Sequence, residues 1–327
     1  MAPRNRRWSH PLEPRWIPTP SCPRWWLREC AFGPSPWNVR VSRTGSSHSP
    51  VRVSTLPSSR VGLALLASEI TVLFRRKRTW AMLLALAAVP VLVAVAVKIT
   101  GSGRGPAFIS DISENGLFVT FAGLLLAVPL FLPLTVGVVS GDAIAGEAST
   151  GTLRYLLVAP AGRIRLLIVK YIGIALFCLA ATLTVAVAGA LIGAALFPIG
   201  PTTLLSGDTV GVSEALGRAL LIALYVTVSL LGFAAVGLFI STLTDVPVGA
   251  MAATVVLDVA VQIADSLPQL DWLHPFLFSH YWLSFGDLLR QPIAWDSFAS
   301  NAVLQAGYIV VFGGLAYVRF SRKDILS

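Results

Sequence analysis

Three polar residues recur on one helical face in and just beyond the fifth long apolar stretch of the chain. Gln262 and Asp265 follow Asp258 at intervals of four and seven residues, which places the three side chains on one face of a helix. Counted from Pro247, Asp258 would lie about 16 Å into a bilayer, where an ionisable group is costly unless it faces protein or water. The stripe predicts either a pathway wall, with Asp258 and Gln262 as its residues, or a paired polar group that packs helices.

Two histidines are the other residues that could do chemistry in this part of the chain. His274 and His280 lie in the segment HPFLFSHYW, close to Trp272 and Trp282. Aromatic residues and histidines beside a membrane span are typical of the belt at the membrane surface. We therefore interpret the segment as an interfacial belt and predict no metal site.

Sequence motifs for hydrolysis or nucleotide binding are absent. The chain has no Gly-Lys dipeptide, and therefore no P-loop, and it has neither HExxH nor GxSxG. Its three cysteines, Cys22, Cys30 and Cys178, form no metal-ligand or disulfide spacing. The sequence predicts a protein that is not an enzyme and holds no cofactor of its own.

The composition predicts an all-α membrane protein. Of 327 residues, 55% are hydrophobic and 13% charged, and the mean hydropathy is +0.75. An α-helical span needs roughly 20 apolar residues. Six stretches qualify, at residues 80–97, 117–139, 171–197, 219–240, 246–263 and 302–318.

Basic residues beside these stretches predict their orientation. Eleven Lys and Arg lie on the side of the N-terminus, at 75–78, 154–170 and 319–323, against four on the other side. Positive charge is retained in the cytosol, so both termini are predicted there. A cleaved signal peptide ending near Ala96 is an alternative for the first span, although it would leave an odd number of spans.

Residues before the first span divide into two parts. Leu63, Leu66, Ile70 and Leu73 recur at helical spacing and predict an amphipathic helix on the membrane surface from residue 61. Residues 1–60 hold ten arginines, ten prolines and five tryptophans without periodicity. We interpret them as a disordered tail, or as the product of a start codon placed too far upstream of Val53 or Val61.

Without residues 1–60 the net charge of the chain is close to zero, which argues against nucleic-acid binding.

The connection between the second and third spans, residues 141–170, carries the most specific pattern. Acidic residues come early and basic residues late, which favours one short helix followed by the start of another. A short cytosolic helix suits the docking of a soluble partner; the alternative is an ordinary positively charged loop.

This connection resembles the membrane subunits of ABC-2 type transporters. The pattern E-x3-G-T-L-R-Y-L-L-V-x-P begins at Glu147, and Lys170-Tyr171 follows it. The segment LFISTLTD at 238–245 and the C-terminal FSRKDILS at 320–327 also resemble that family. The resemblance covers residues 61–327.

The resemblance implies a six-span permease of ABC-2, type V exporter-like, architecture in a bacterial cytoplasmic membrane. Two such subunits, identical or related, would pair with separate ATP-binding subunits. Glu147, Gly151, Thr152 and Arg154 would contact the ATPase, with Asp142 nearby, and spans two and five would line the subunit interface. Gly249, Ala252 and Ala253 would then permit close helix approach.

The expected function is ATP-driven export of a hydrophobic or amphipathic cargo such as a drug, peptide or lipid. Two alternatives remain. One is a self-sufficient secondary transporter that uses Asp258 as an ion site, and the other is a membrane anchor that recruits an ATPase without transport.

Overall fold

Among the residues that the structure describes, six helices are long and apolar enough to cross a membrane. The computed structural model describes residues 58–100, 115–151, 163–198, 200, 202–203, 209–291 and 295–322. Each predicted stretch falls on one of the six helices, so the prediction of an all-α, multi-pass membrane protein is confirmed. They are called spans 1 to 6 in chain order: Lys77–Ile99, Phe118–Ser149, Ile164–Leu196, Val212–Leu243, Pro247–Asp265 and Asp296–Arg322.

The spans differ in length and burial. Span 3 belongs to a 34-residue helix, Arg163–Leu196, and span 4 has 32 residues, whereas span 5 has 19. Over an apolar stretch of 18 residues in each helix, 72% of the residues are buried in span 4 but only 17% in spans 5 and 6. Span 4 therefore forms the centre of the bundle, and most residues of spans 5 and 6 are not buried.

Span 2 is irregular in its middle. Helix Phe118–Leu126 passes into a π-helical turn, Ala127–Phe131, and then into helix Leu132–Ser149. Pro129 lies within that turn and Pro133 opens the next helix. Because proline lacks a backbone N–H, it disrupts the hydrogen-bond ladder at this point. The irregular part of span 2 therefore coincides with its two prolines.

The end of span 2 differs from the prediction of a separate short helix. Asp142 and Glu147 belong to the same continuous helix, which ends at Ser149. Gly151 follows with a φ of 71°, and its N–H donates to the carbonyl of Ala148. Such a left-handed glycine is a common helix stop. The acidic residues thus extend span 2, because nothing in their sequence breaks the helix before Gly151.

The N-terminal helix, Ser58–Arg75, lies immediately before span 1, which starts within helix Lys77–Thr100. Two side chains from the first turn of that helix satisfy carbonyls at the end of the N-terminal helix. Thr79 donates to Leu73 at 2.6 Å and Trp80 donates to Phe74 at 2.8 Å. These bonds fix the break between the two helices, because helix-end carbonyls lack partners within their own helix.

Glycines of span 2 bring it close to span 5. A Cβ added at Gly141 would lie 2.8 Å from backbone atoms of Met251, and one at Gly137 would lie 3.2 Å from Val255. Ala250 and Thr254 are the buried residues on this side of span 5. The close approach therefore depends on glycines of span 2. The small residues of span 5, Gly249, Ala252 and Ala253, lie on its exposed side, so their expected role at a subunit interface stays a prediction.

The segment between spans 5 and 6 is anchored on the bundle through three short 3-10 turns, Pro268–Leu270, His274–Phe276 and Ser284–Leu289. Trp282 is 2% exposed, and its indole N–H donates to the carbonyl of Ser229. Its ring packs against Phe233 and Phe278. The expectation of an interfacial belt is wrong for Trp282, which the aromatic cluster places in the core. Trp272, by contrast, is exposed.

The described residues include a two-stranded sheet beside the helices. Strands β1, Thr202–Thr203, and β2, Thr209–Val210, pair in antiparallel fashion between spans 3 and 4, with Thr202 opposite Val210.

Candidate functional site

Six charged side chains meet where the N-terminal helix, the start of span 1, the end of span 2 and the start of span 3 come together. We call this group the charge network: Glu69, Arg76, Arg78, Asp142, Glu147 and Lys170. Three acidic and three basic groups balance one another. The network lies at the ends of the two helices that flank connection 150–162.

Two arginines hold Asp142. Arg76 lies 3.0 Å and Arg78 2.5 Å from the same carboxylate oxygen, Oδ2. The Asp142 side chain is 10% exposed, while the arginines keep 48% and 40% of their surface. Hydrogen bonds between ionised partners are stronger than neutral ones. This half of the network therefore joins the start of span 1 to the end of span 2.

Lys170 holds the other half and is the most buried charge of the network, with 5% of its side chain exposed. Its ammonium donates to Glu69 Oε1 at 2.7 Å and to Glu147 Oε1. A buried ammonium is costly unless it is paired. One cation thus connects the N-terminal helix, span 2 and span 3.

The network encloses too little space for an organic ligand. The cavity that it lines has a volume of about 30 Å³, whereas small-molecule sites occupy roughly 300–1,000 Å³. The arrangement is therefore suited to holding helices together.

The four predicted docking residues do not lie together on one surface of the described structure. Glu147 is directed to Lys170 in the interior, and Gly151 is exposed at the end of span 2. Thr152 and Arg154 lie outside the described residues. The sequence did not lead us to Glu69, although a signal was present. It is the sole acidic residue of the N-terminal helix and stands on its apolar side, next to Ile70 and one turn before Leu73.

Asp258 is buried in span 5, with 4% of its surface exposed. Gln262 donates to its Oδ2 at 2.8 Å, and Oδ1 has no hydrogen-bond partner among the residues that the structure describes. The two predicted pathway residues therefore contact each other. This is the local pairing expected of a packing group, but it leaves one carboxylate oxygen for a further ligand.

A cavity of about 200 Å³ lies beyond this pair, at the end of span 5. Gln262 and Asp265 line it from span 5, Pro129 lines it from the π-helical turn, and Ser279 and Trp282 line it from the following segment. The polar stripe read from the sequence thus leads from a buried carboxylate to an open space. The contributions of Ser279 and Trp282 were not predictable, because they depend on how the segment folds back.

Spanning helices joined by a charge network at their ends define a helical multi-pass membrane protein. The chain belongs to the family described as protein of unknown function (DUF2705), whose model matches residues 72–326. No curated protein matches the chain.

Proposed function

We propose that this protein is the membrane-spanning subunit of an ATP-driven transporter of the ABC-2 type. The charge network is the observation that carries the proposal. It lies directly beside the connection whose sequence resembles the ATPase-docking region of that family, and it ties the helices on both sides of the connection to each other. A displacement of the connection would move these elements together, because separating a buried ion pair is costly.

Hydrogen bonds provide a route from this end of span 2 to span 4. The Ser241 hydroxyl accepts from the backbone N–H groups of Ile144 and Ala145, at 3.0 and 2.9 Å, and donates to the carbonyl of Gly141 at 2.6 Å. Gly141 is also in close contact with span 5. Such contiguous contacts can couple two sites when the contacts have two alternative arrangements. In this proposal, ATP binding by the partner subunit would favour one arrangement over the other.

The cargo pathway in this proposal requires a second permease subunit, identical or related. The 200 Å³ cavity of the single chain is below the roughly 300–1,000 Å³ of small-molecule sites. The exposed sides of spans 5 and 6 are available for such a partner. A hydrophobic or amphipathic cargo fits the apolar character of the spans.

The remaining features follow from the same proposal. The chain is a transport subunit and not itself an enzyme, because ATP is bound by the separate subunit. It resides in a bacterial cytoplasmic membrane with both termini in the cytosol, as the distribution of Lys and Arg indicates.

The test is affinity purification of the full chain from native membranes, as the wild type and as charge variants. We expect a soluble P-loop ATPase to accompany the wild type in stoichiometric amount and to be lost from Glu147→Lys and from Lys170→Glu. Asp296→Lys is the matched control, because Asp296 is an exposed acidic residue in the first turn of span 6, away from the charge network. A wild-type chain that is purified alone and still transports would overturn the proposal.

The double exchange Glu147→Lys with Lys170→Glu separates positioning from direct contact. It keeps the net charge of the pair while exchanging the two partners, and a companion change, Glu69→Gln, prevents the new carboxylate at position 170 from facing a second one. Recovery of the ATPase would make Glu147 a positioning residue. Restored stability without the ATPase would make Glu147 a direct contact.

A secondary transporter is the second candidate, favoured by the buried Asp258 with its unpartnered oxygen among the described residues. Asp258→Asn, which preserves shape, distinguishes the two. Transport that survives ATP depletion but fails in Asp258→Asn would identify a proton- or ion-coupled carrier. ATP-dependent transport that persists in this variant would support the permease. ATPase recruitment without any cargo movement would identify an anchor.

A further inference from the structure

Two histidines and a carboxylate come together at the end of span 5, on the opposite side of the bundle from the charge network in the predicted topology. Asp265 is the last residue of span 5, His274 opens a 3-10 turn, and His280 follows six residues later. One ligand atom from each residue lies within 4.8 Å of the others. These residues are up to 15 positions apart in the sequence, and no sequence pattern predicted that Asp265 would lie beside the histidines.

The protein backbone around the three residues is held by buried contacts. Phe278, between the histidines, is 2% exposed and stacks on Phe233 of span 4. The carbonyl of Tyr281, directly after His280, accepts a hydrogen bond from Tyr225 at 2.6 Å. The segment is therefore fixed against span 4, and its side chains project from a rigid base, as a metal site requires.

Hydrogen bonds orient the rings as they do in metal sites. His274 Nε2 lies 3.1 Å from the carbonyl of Leu267, which can only accept, so this nitrogen is the donor and the lone pair of the neutral ring is on Nδ1. Histidine ligands of metals usually donate their second N–H to a carbonyl or carboxylate in this way. His280 Nδ1 lies 3.0 Å from Asp265 Oδ1, where a metal ion can replace the shared proton.

The electrostatics of the group favour a cation. Asp265 and Asp271 both lie beside the histidines, the latter 3.6 Å from His274 Nδ1. Within the described ranges, neither carboxylate forms an ion pair with Lys or Arg. The side chains of Asp265, His274 and His280 are 22%, 17% and 35% exposed, so an ion in solution can reach them.

We propose that Asp265, His274 and His280 bind a divalent transition-metal ion of the zinc class. Two imidazoles and one carboxylate are borderline ligands that suit Zn²⁺, whereas Mg²⁺ and Ca²⁺ take all-oxygen sites. Three protein ligands leave a coordination position open for water. The ion would cross-link the end of span 5 to the folded segment at the rim of the 200 Å³ cavity, which Asp265 also lines. This proposal does not depend on the transport mechanism.

Cobalt titration of the full chain, purified in detergent and stripped with a chelator, tests the site. Co²⁺ in a tetrahedral site of mixed nitrogen and oxygen ligands gives visible absorption bands, and Zn²⁺ abolishes them by displacement. We expect one ion per chain, with affinity lowered roughly tenfold or more in Asp265→Asn, His274→Gln and His280→Gln. The matched control is the double variant His10→Gln and His48→Gln, which removes the other two histidines of the chain and should change nothing.

His280→Cys guards against variants that merely misfold. Cysteine is also a ligand, so this variant should still bind Co²⁺ and add a sulfur-to-metal charge-transfer band that only direct ligation produces. The proposal is overturned if the wild type binds no ion, if the ligand variants bind as the wild type does, or if binding is lost only in the His10 and His48 control.

Discussion

Lys170 joins three helices through a single ammonium group. It is nearly inaccessible to solvent and has a carboxylate of another helix on each side. Removing it would leave Glu69 and Glu147 facing each other without a counter-charge. The two arginines on Asp142 differ, because they reach their partner from the surface.

We expect Lys170→Met to lower the free energy of unfolding by about 3 kcal/mol, because a buried ion pair that loses one partner leaves its charge uncompensated. Arg76→Met should cost about 1 kcal/mol or less, since an exposed pair is screened by water. Denaturant titration of the detergent-purified chain, followed by circular dichroism, measures both. Equal losses in the two variants would show that Lys170 is not the central support of the network.

Part of this site could be read from the sequence and part could not. Glu147 was chosen from its motif, and its place beside the connection follows from chain order alone. Its partner in the interior could not be identified, because Lys170 lies 23 residues further on and was considered only as a cytosolic positive charge and as part of the family resemblance. The pairing of Asp265 with His280 could not be predicted either, because it depends on a segment whose path is set by buried aromatic residues.

Span 2 contributes to the cavity, to the close contact with span 5 and to the charge network. Pro129 in its π-helical turn lines the cavity, its glycines approach span 5, and its final turns carry two residues of the charge network. The prolines and acidic residues were visible in the sequence. The glycines were not singled out, because which face of span 2 meets span 5 is decided by packing.

Gly141→Ala should destabilise the bundle by about 1–3 kcal/mol, since the added methyl group meets the backbone of Met251, which cannot move aside. Gly314→Ala in span 6 is the control. It adds the same atom into open space, and alanine favours a helix by about 1 kcal/mol. Thermal unfolding in detergent compares them. If Gly141→Ala proves as stable as Gly314→Ala, the close contact between spans 2 and 5 does not exist as described.

The whole molecule has two ends of different character. One end carries the charge network, and the other carries the anchored segment with its histidines. The count of basic residues assigns the first end to the cytosol. This assignment is a prediction from the sequence, since length and composition of the helices do not by themselves fix orientation.

Single cysteines test the orientation after Cys22, Cys30 and Cys178 have been replaced by serine or alanine. A cysteine at Ser149 should react with a membrane-impermeant maleimide only after cells are opened, and one at the exposed Trp272 should react in intact cells. Mass shift on a gel reports the labelling. The reverse pattern would place the charge network outside the cell and exclude cytosolic docking at the connection.

The unequal lengths of the spans make bilayer thickness a mechanical variable for this protein. A helix of 32–34 residues is about 50 Å long and can tilt within a hydrocarbon layer of about 30 Å, whereas the 19 residues of span 5 extend about 28 Å and barely cross it. In a thicker bilayer, span 5 would therefore be too short to cross the hydrocarbon layer before any of the longer helices. Span 5 carries Asp258 and contacts Gly137 and Gly141 of span 2. The chain length of the lipids would therefore affect the position of this buried carboxylate and the contact between spans 2 and 5.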